Sequence, residues 1–103
     1  MNKLEKRYSE NLELKLLAGE IKLWRFIGDD RNESLELAHR CNYTPDFKIV
    51  NMDYKTEYHE TKGFMRSRDS VRLKVAARMY PQYKFVLVKW DDRKGWTFKE
   101  IPK

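Results

Sequence analysis

The stretch YTPDFKIVNMDYKTEYHETKG, residues 43–63, decides how this chain is read. Residues 46–50 and 56–62 have strand length and are joined by the turn-like NMDYK, which predicts a β-hairpin. Yet Asp46, Glu60 and Lys62 are residue types that strand interiors disfavour. Either the strands lie at a wet edge or these side chains do chemistry. Side chains alternate along a strand, so Glu60 and Lys62 project from one face and Glu57, His59 and Thr61 from the other. Across the hairpin, Asp46 at the start of one strand and Glu60 near the end of the next come to the same end of the ladder.

Upstream, residues 2–18 predict a helix. Leu4, Tyr8, Leu12 and Leu16 recur every four residues, Asn2 suits the N-cap and Gly19 the stop. IKLWRFI reads as a strand ended by GDDRN, and the first half of SLELAHRCNY as another. Downstream, Val71, Val75 and Met79 space a second helix over residues 69–80, closed by Pro81. YKFVLVKW is nearly continuously apolar and predicts a central strand, and DDRKG turns into a last strand, WTFKEI. The expected class is α/β, a mixed central β-sheet flanked by helices. With no repeat, low-complexity segment or linker, residues 1–103 read as a single domain.

The 22 Lys and Arg outnumber the 16 Asp and Glu, giving a net charge of +6 that favours a polyanionic partner such as DNA. The lone Cys41 forms no intrachain disulfide, and no apolar run approaches the roughly 20 residues of a membrane span. The expectation is a soluble cytoplasmic protein with no membrane partner.

Two carboxylates and water form the oxygen-rich environment that Mg²⁺ prefers. Hydrolysing a phosphodiester needs a metal to stabilise charge and activate water, and a group that orients the water. Asp46 and Glu60 suit the first task, Lys62 the second. The alternative is an exposed Glu60–Lys62 ion pair on an edge strand, which contributes at most about 1 kcal/mol. Glu5 also stays open between two readings. Helical spacing places it near the apolar stripe, where a carboxylate needs a partner such as a metal or Lys62. Asn2 and Glu5 equally match a capping box.

PDF followed on the next strand by ETKG resembles the PD-(D/E)XK nuclease superfamily. The order LEKRYSENLELKLLAGEI, YTPDF, HETKG, SVRLKVAARMYP is similar to that of compact endonuclease-like proteins encoded by bacteriophages, over residues 4–88. The resemblance implies a restriction-endonuclease-like core and a Mg²⁺-dependent DNA endonuclease, with Mn²⁺ as substitute. It makes Asp46 the bridging metal ligand, Glu60 the second carboxylate, and Thr61 a ligand through its backbone carbonyl. Lys62 would position or activate the water, and Glu5 would complete the site. Gly63 and Phe64 depart from the polar residue that many members carry after the lysine, and the loop after Phe26 has no family pattern.

Arg66, Arg68, Arg72 and Lys74 follow the site and are candidates for contact with a DNA backbone, against the alternative of a solvated helix face. His39, Cys41 and His59 lack zinc spacing. Trp24, Trp90 and Trp96 are read as core or dimer-surface residues rather than base-stacking platforms. Gly63 is expected to relieve backbone crowding. A domain this small leaves little surface for reading sequence, so the expectation is structure-selective or weakly selective cleavage, either of branched DNA or a Holliday junction, for which a homodimer is the commonest solution, or general nicking and degradation. The alternative is a non-catalytic nucleic-acid-binding or interaction protein that keeps the fold.

Overall fold

The computed structural model describes residues 1–63 and 67–103, the side chains of 67 and 68 excepted. Helix α1 spans Lys3–Leu17. Both ends are capped as the sequence predicts. Asn2 and Glu5 form a reciprocal capping box. At the other end Gly19, at φ 74°, lets its own N–H reach the Leu16 carbonyl and that of Glu20 the Lys15 carbonyl.

Strands β1 (Ile21–Phe26), β4 (Phe47–Asn51), β5 (Thr56–Thr61), β6 (Lys84–Asp91) and β7 (Gly95–Glu100) form one sheet in the order β1-β4-β5-β6-β7. The β5–β6 pair is parallel and the rest antiparallel, so the sheet is mixed. The crossover between the parallel strands is helix α2, Ser67–Met79. The predicted α/β class and the flanking helices are therefore observed. Apolar Phe85–Val88 makes β6 interior, but the middle of the sheet is β5, whose sequence is polar.

Alternation divides the core into two layers. Val86 and Val88 join Phe47, Ile49, Tyr8 and Leu12 beneath α1. Phe85, Leu87 and Tyr58 face Leu73, Ala76 and Ala77 of α2. The predicted stripe on α2 holds only at Val75, which packs against the core: Val71 and Met79 are exposed, and Leu73, Ala76 and Ala77 are buried. The small alanines let the helix backbone approach the sheet, so the face with less apolar surface packs. SLELAHRCNY forms two strands where one was expected, β2 (Leu35–Ala38) and β3 (Cys41–Tyr43). They make a separate hairpin that turns through Arg40 at φ 58° and buries Leu35, Leu37 and Tyr43 in the α2 layer. No helix among the described residues is long and apolar enough to cross a membrane.

Candidate functional site

Strand β4 begins where β5 ends, and Asp46 stands just ahead of the Phe47–His59 pair. Its backbone is held on both sides. The carbonyl accepts from Ile27 N–H at 2.8 Å, and its N–H donates to Glu60 Oε1 at 3.2 Å. Pro45, ahead of it, is buried and fixes φ at the entry to the strand. The Asp46 side chain accepts at Oδ2 from both the N–H and the hydroxyl of Thr61, each at 2.9 Å. Glu60 Oε1 also accepts from the Tyr43 hydroxyl at 3.0 Å, and Glu60 Oε2 lies 3.3 Å from Lys62 Nζ. Asp46, Glu60 and Lys62 thus meet as the sequence predicts, while Thr61, placed by alternation on the other face, joins them by donating its N–H and hydroxyl to Asp46. The wet-edge alternative fails, because β5 is the central strand and Asp46 and Glu60 are only 9% and 7% exposed. Lys62 is the partly solvated member.

Burial gives the site its electrostatics. Loss of solvent, and secondarily the Asp46 charge, push the Glu60 carboxyl up to about 7, with Lys62 and the Tyr43 hydroxyl opposing. Asp46 is also raised, first by burial and then by the Glu5 carboxylate, although the two Thr61 hydrogen bonds favour its ionised form. Burial alone would lower the Lys62 pKa, but Glu60 and Asp46 outweigh it and the net shift is upward. Lys62 is therefore an ammonium at neutral pH, a donor and positive charge rather than a base. Two buried carboxylates with one partly solvated cation leave negative charge only partly compensated, an arrangement that favours a cation.

Among the described residues, no three His, Cys, Asp or Glu side chains converge to hold a metal. That excludes a closed protein cage there but suits Mg²⁺, which typically takes one or two carboxylates and completes its octahedron with water and substrate oxygens. Asp46 Oδ1 accepts no hydrogen bond among the described residues, and Gly28 packs beside it. A Cβ on Gly28 would stand 3.6 Å from Asp46 Oδ1 and collide with the Phe26 ring at 2.7 Å. Asp46 and Glu60 offer carboxylate oxygens, the donor type that Mg²⁺ or Mn²⁺ takes. Glu5 is in the capping box, where its Oε1 accepts from Asn2 N–H at 2.8 Å. The capping-box reading of Glu5 is the one observed, and among the described residues it does not converge with Asp46 and Glu60, although its charge raises Asp46.

On the opposite face of β5, Tyr8 O–H is 2.6 Å from His59 Nδ1, His59 Nε2 is 3.0 Å from Glu57 Oε1, and Asn51 donates to Glu57 Oε2 at 2.9 Å. The His59 hydrogen bond holds Glu57 down at about 2, so Glu57 is an acceptor and His59 carries its proton on Nε2. Nδ1 then accepts from Tyr8. Burial lowers the His59 pKa despite Glu57, which keeps the imidazole neutral. The chain clamps α1 to the strand that carries Glu60, and His59 has the structural role expected of it.

Arg72 and Lys74 are exposed, and Lys74 lines a cleft of about 390 Å³ with Val71, Val75, Arg78, Pro102 and Lys103, which contains none of the site residues. Arg66 and the side chain of Arg68 lie outside the described residues. A Cβ on Gly63 would meet nothing within 4 Å among the described residues, so the expected crowding is not seen there. Gly28 is the crowded glycine. Trp24 and Trp96 pack against the α1 layer as expected. Tyr43, the Thr61 hydroxyl and Gly28 were missed as site residues.

Comparison with protein-family models, curated proteins and solved structures returns no match. The functional reading rests on the geometry.

Proposed function

We propose that this chain is a Mg²⁺- or Mn²⁺-dependent DNA endonuclease of the PD-(D/E)XK type, with a restriction-endonuclease-like core. One observation carries the reading: Asp46, Glu60 and Lys62 meet at the end of the central strand, where the two carboxylates are buried and the lysine reaches solvent. A buried pair of acids costs stability, and such costs concentrate at sites of binding and catalysis.

When bound, the metal supplies charge stabilisation at the phosphate and a more acidic water. The chain's own residues do the positioning. Asp46 and Glu60 hold the cation, and Thr61 and Tyr43 fix the two carboxylates by hydrogen bonds at 2.9 and 3.0 Å. Lys62, kept charged by Glu60, orients the attacking water or a phosphate oxygen as a donor. Arg72 and Lys74, with the basic net charge, supply sequence-independent attraction to the phosphate backbone.

The test incubates the protein with supercoiled, linear, single-stranded and four-way-junction DNA, with Mg²⁺, with Mn²⁺ and with EDTA. Metal-dependent cleavage is expected, lost in Asp46→Asn and in Lys62→Ala. Calorimetric metal affinity should fall in Asp46→Asn and persist in Lys62→Ala. Binding of DNA without cleavage of any substrate would replace the enzyme reading by the non-catalytic one.

A further inference from the structure

The β6–β7 hairpin carries aromatic rings that the site does not use. Parallel pairing sets Thr61 opposite Val88, so Trp90, two residues on and still paired with Trp96, lies beyond the end of β5 where Lys62 stands, on the face of the sheet opposite to the Glu60 side chain. It shares the α1 face with Val88, and α1 brings Arg7, two residues after Glu5, over its ring at 4.3 Å. Trp96 meets Trp90 edge to face at 5.1 Å, and the Trp90 indole N–H donates to Asp92 at 2.9 Å. The ring is therefore held in place, yet it is 37% exposed. Phe98 follows on β7, two residues or roughly 7 Å from Trp96. It is 47% exposed, with Lys15 over its ring at 4.6 Å.

We propose that this track, Trp90 to Phe98 with Arg7 and Lys15, binds an unpaired stretch of nucleic acid leaving the metal site. Each step pairs a partly exposed aromatic ring with a cation, and the complement of that pair is a base joined to a phosphate. A duplex hides its base faces in the stack, so the ligand is single-stranded or locally unpaired. A second copy of this chain is a poorer occupant. Its charge of +6 repels another copy, and the exposed Lys99 and Glu100 make β7 a charged edge. The direction of the track rests on the nuclease reading, whereas binding to it does not. This revises the expectation that Trp90 is a core or dimer-surface residue.

The experiment measures binding of a fluorescent oligothymidylate, and of a duplex of equal length, to the full chain in EDTA, where no metal-dependent cutting occurs. Single strand should bind more tightly than duplex. Trp90→Ala and Phe98→Ala should each weaken single-strand binding roughly 5- to 100-fold, the loss of one stacked base, and leave duplex binding nearly unchanged. Trp90→Phe, which keeps an aromatic face, should restore most of the affinity, and melting curves confirm that each variant is folded. Equal losses on both ligands, or none on the single strand, would overturn the proposal. So would a dimer that Trp90→Ala dissociates while oligothymidylate binding stays unchanged. A protein with this binding pattern but no cleavage under Mg²⁺ loses the nuclease reading and keeps this one. A nuclease insensitive to Trp90→Ala does the reverse.

Discussion

Replacing Glu60 by Gln should make the metal-free protein more stable at alkaline pH. Glu60 is 7% exposed, with its pKa raised from 4.5 to about 7 by burial and by Asp46. A raised carboxyl pKa means that the ionised form is disfavoured by folding. No cost is present below pH 4.5, the cost grows as pH rises toward 7, and it is complete above. The full shift corresponds to about 3 kcal/mol. Part of it is shared with Asp46, and part is recovered in the partly solvated Lys62 pair, worth at most about 1 kcal/mol. Gln keeps the size and can still accept from Tyr43 O–H and Asp46 N–H through its carbonyl oxygen. The net gain for Glu60→Gln at pH 8 should be about 1–2 kcal/mol, or roughly 4–16 °C in Tm for a domain of this size. At pH 4 the gain should vanish, because the wild-type carboxyl is then protonated. Thermal melts of both proteins in EDTA from pH 4 to pH 8 provide the assay. A variant less stable than wild type at pH 8, or a gain that does not change with pH, would refute the electrostatic account of the site.

Tyr8→Phe keeps the ring that packs on Phe47 and Trp96 but leaves the buried His59 Nδ1 without its donor, and urea denaturation should show a loss of about 1–3 kcal/mol. An unchanged midpoint would mean that the Tyr8–His59–Glu57 chain does not clamp α1 to the sheet. Glu5→Gln preserves the capping box, in which Gln serves as well as Glu, while removing the charge that reaches Asp46. Stability should stay within about 0.5 kcal/mol of wild type while the Mg²⁺ concentration needed for half-maximal cleavage rises several-fold. An unchanged metal requirement would confine Glu5 to the helix cap.

Most of the fold was legible because its signals are local. The capping-box partners Asn2 and Glu5 lie three residues apart, and the β4–β5 hairpin and the two strands after α2 are bounded by their own turns. The β2–β3 hairpin was only half legible, because it turns through Arg40 at φ 58° without the glycine or asparagine that marks such a turn. The buried face of α2 was misread for a different reason. Valine and methionine outweigh alanine on any hydrophobicity count, but close helix–sheet approach favours the smaller residue.

The candidate site divides the same way. Asp46, Glu60 and Lys62 belong to one hairpin, and strand alternation with hairpin register is enough to bring them together, whereas alternation alone would turn the Thr61 hydroxyl away from Asp46. Tyr43 enters from a separate two-stranded sheet and Gly28 from the loop after β1, so only the tertiary fold brings them to the carboxylates. What sequence could not give is the depth of burial, and burial decides the chemistry. An acid, acid and lysine set on an exposed edge would be a weak ion pair. In the middle strand of a five-stranded sheet the same residues become two carboxylates with raised pKa values beside a lysine that stays charged. The polar sequence of β5 marks the place where the fold gives up core packing to hold that charge.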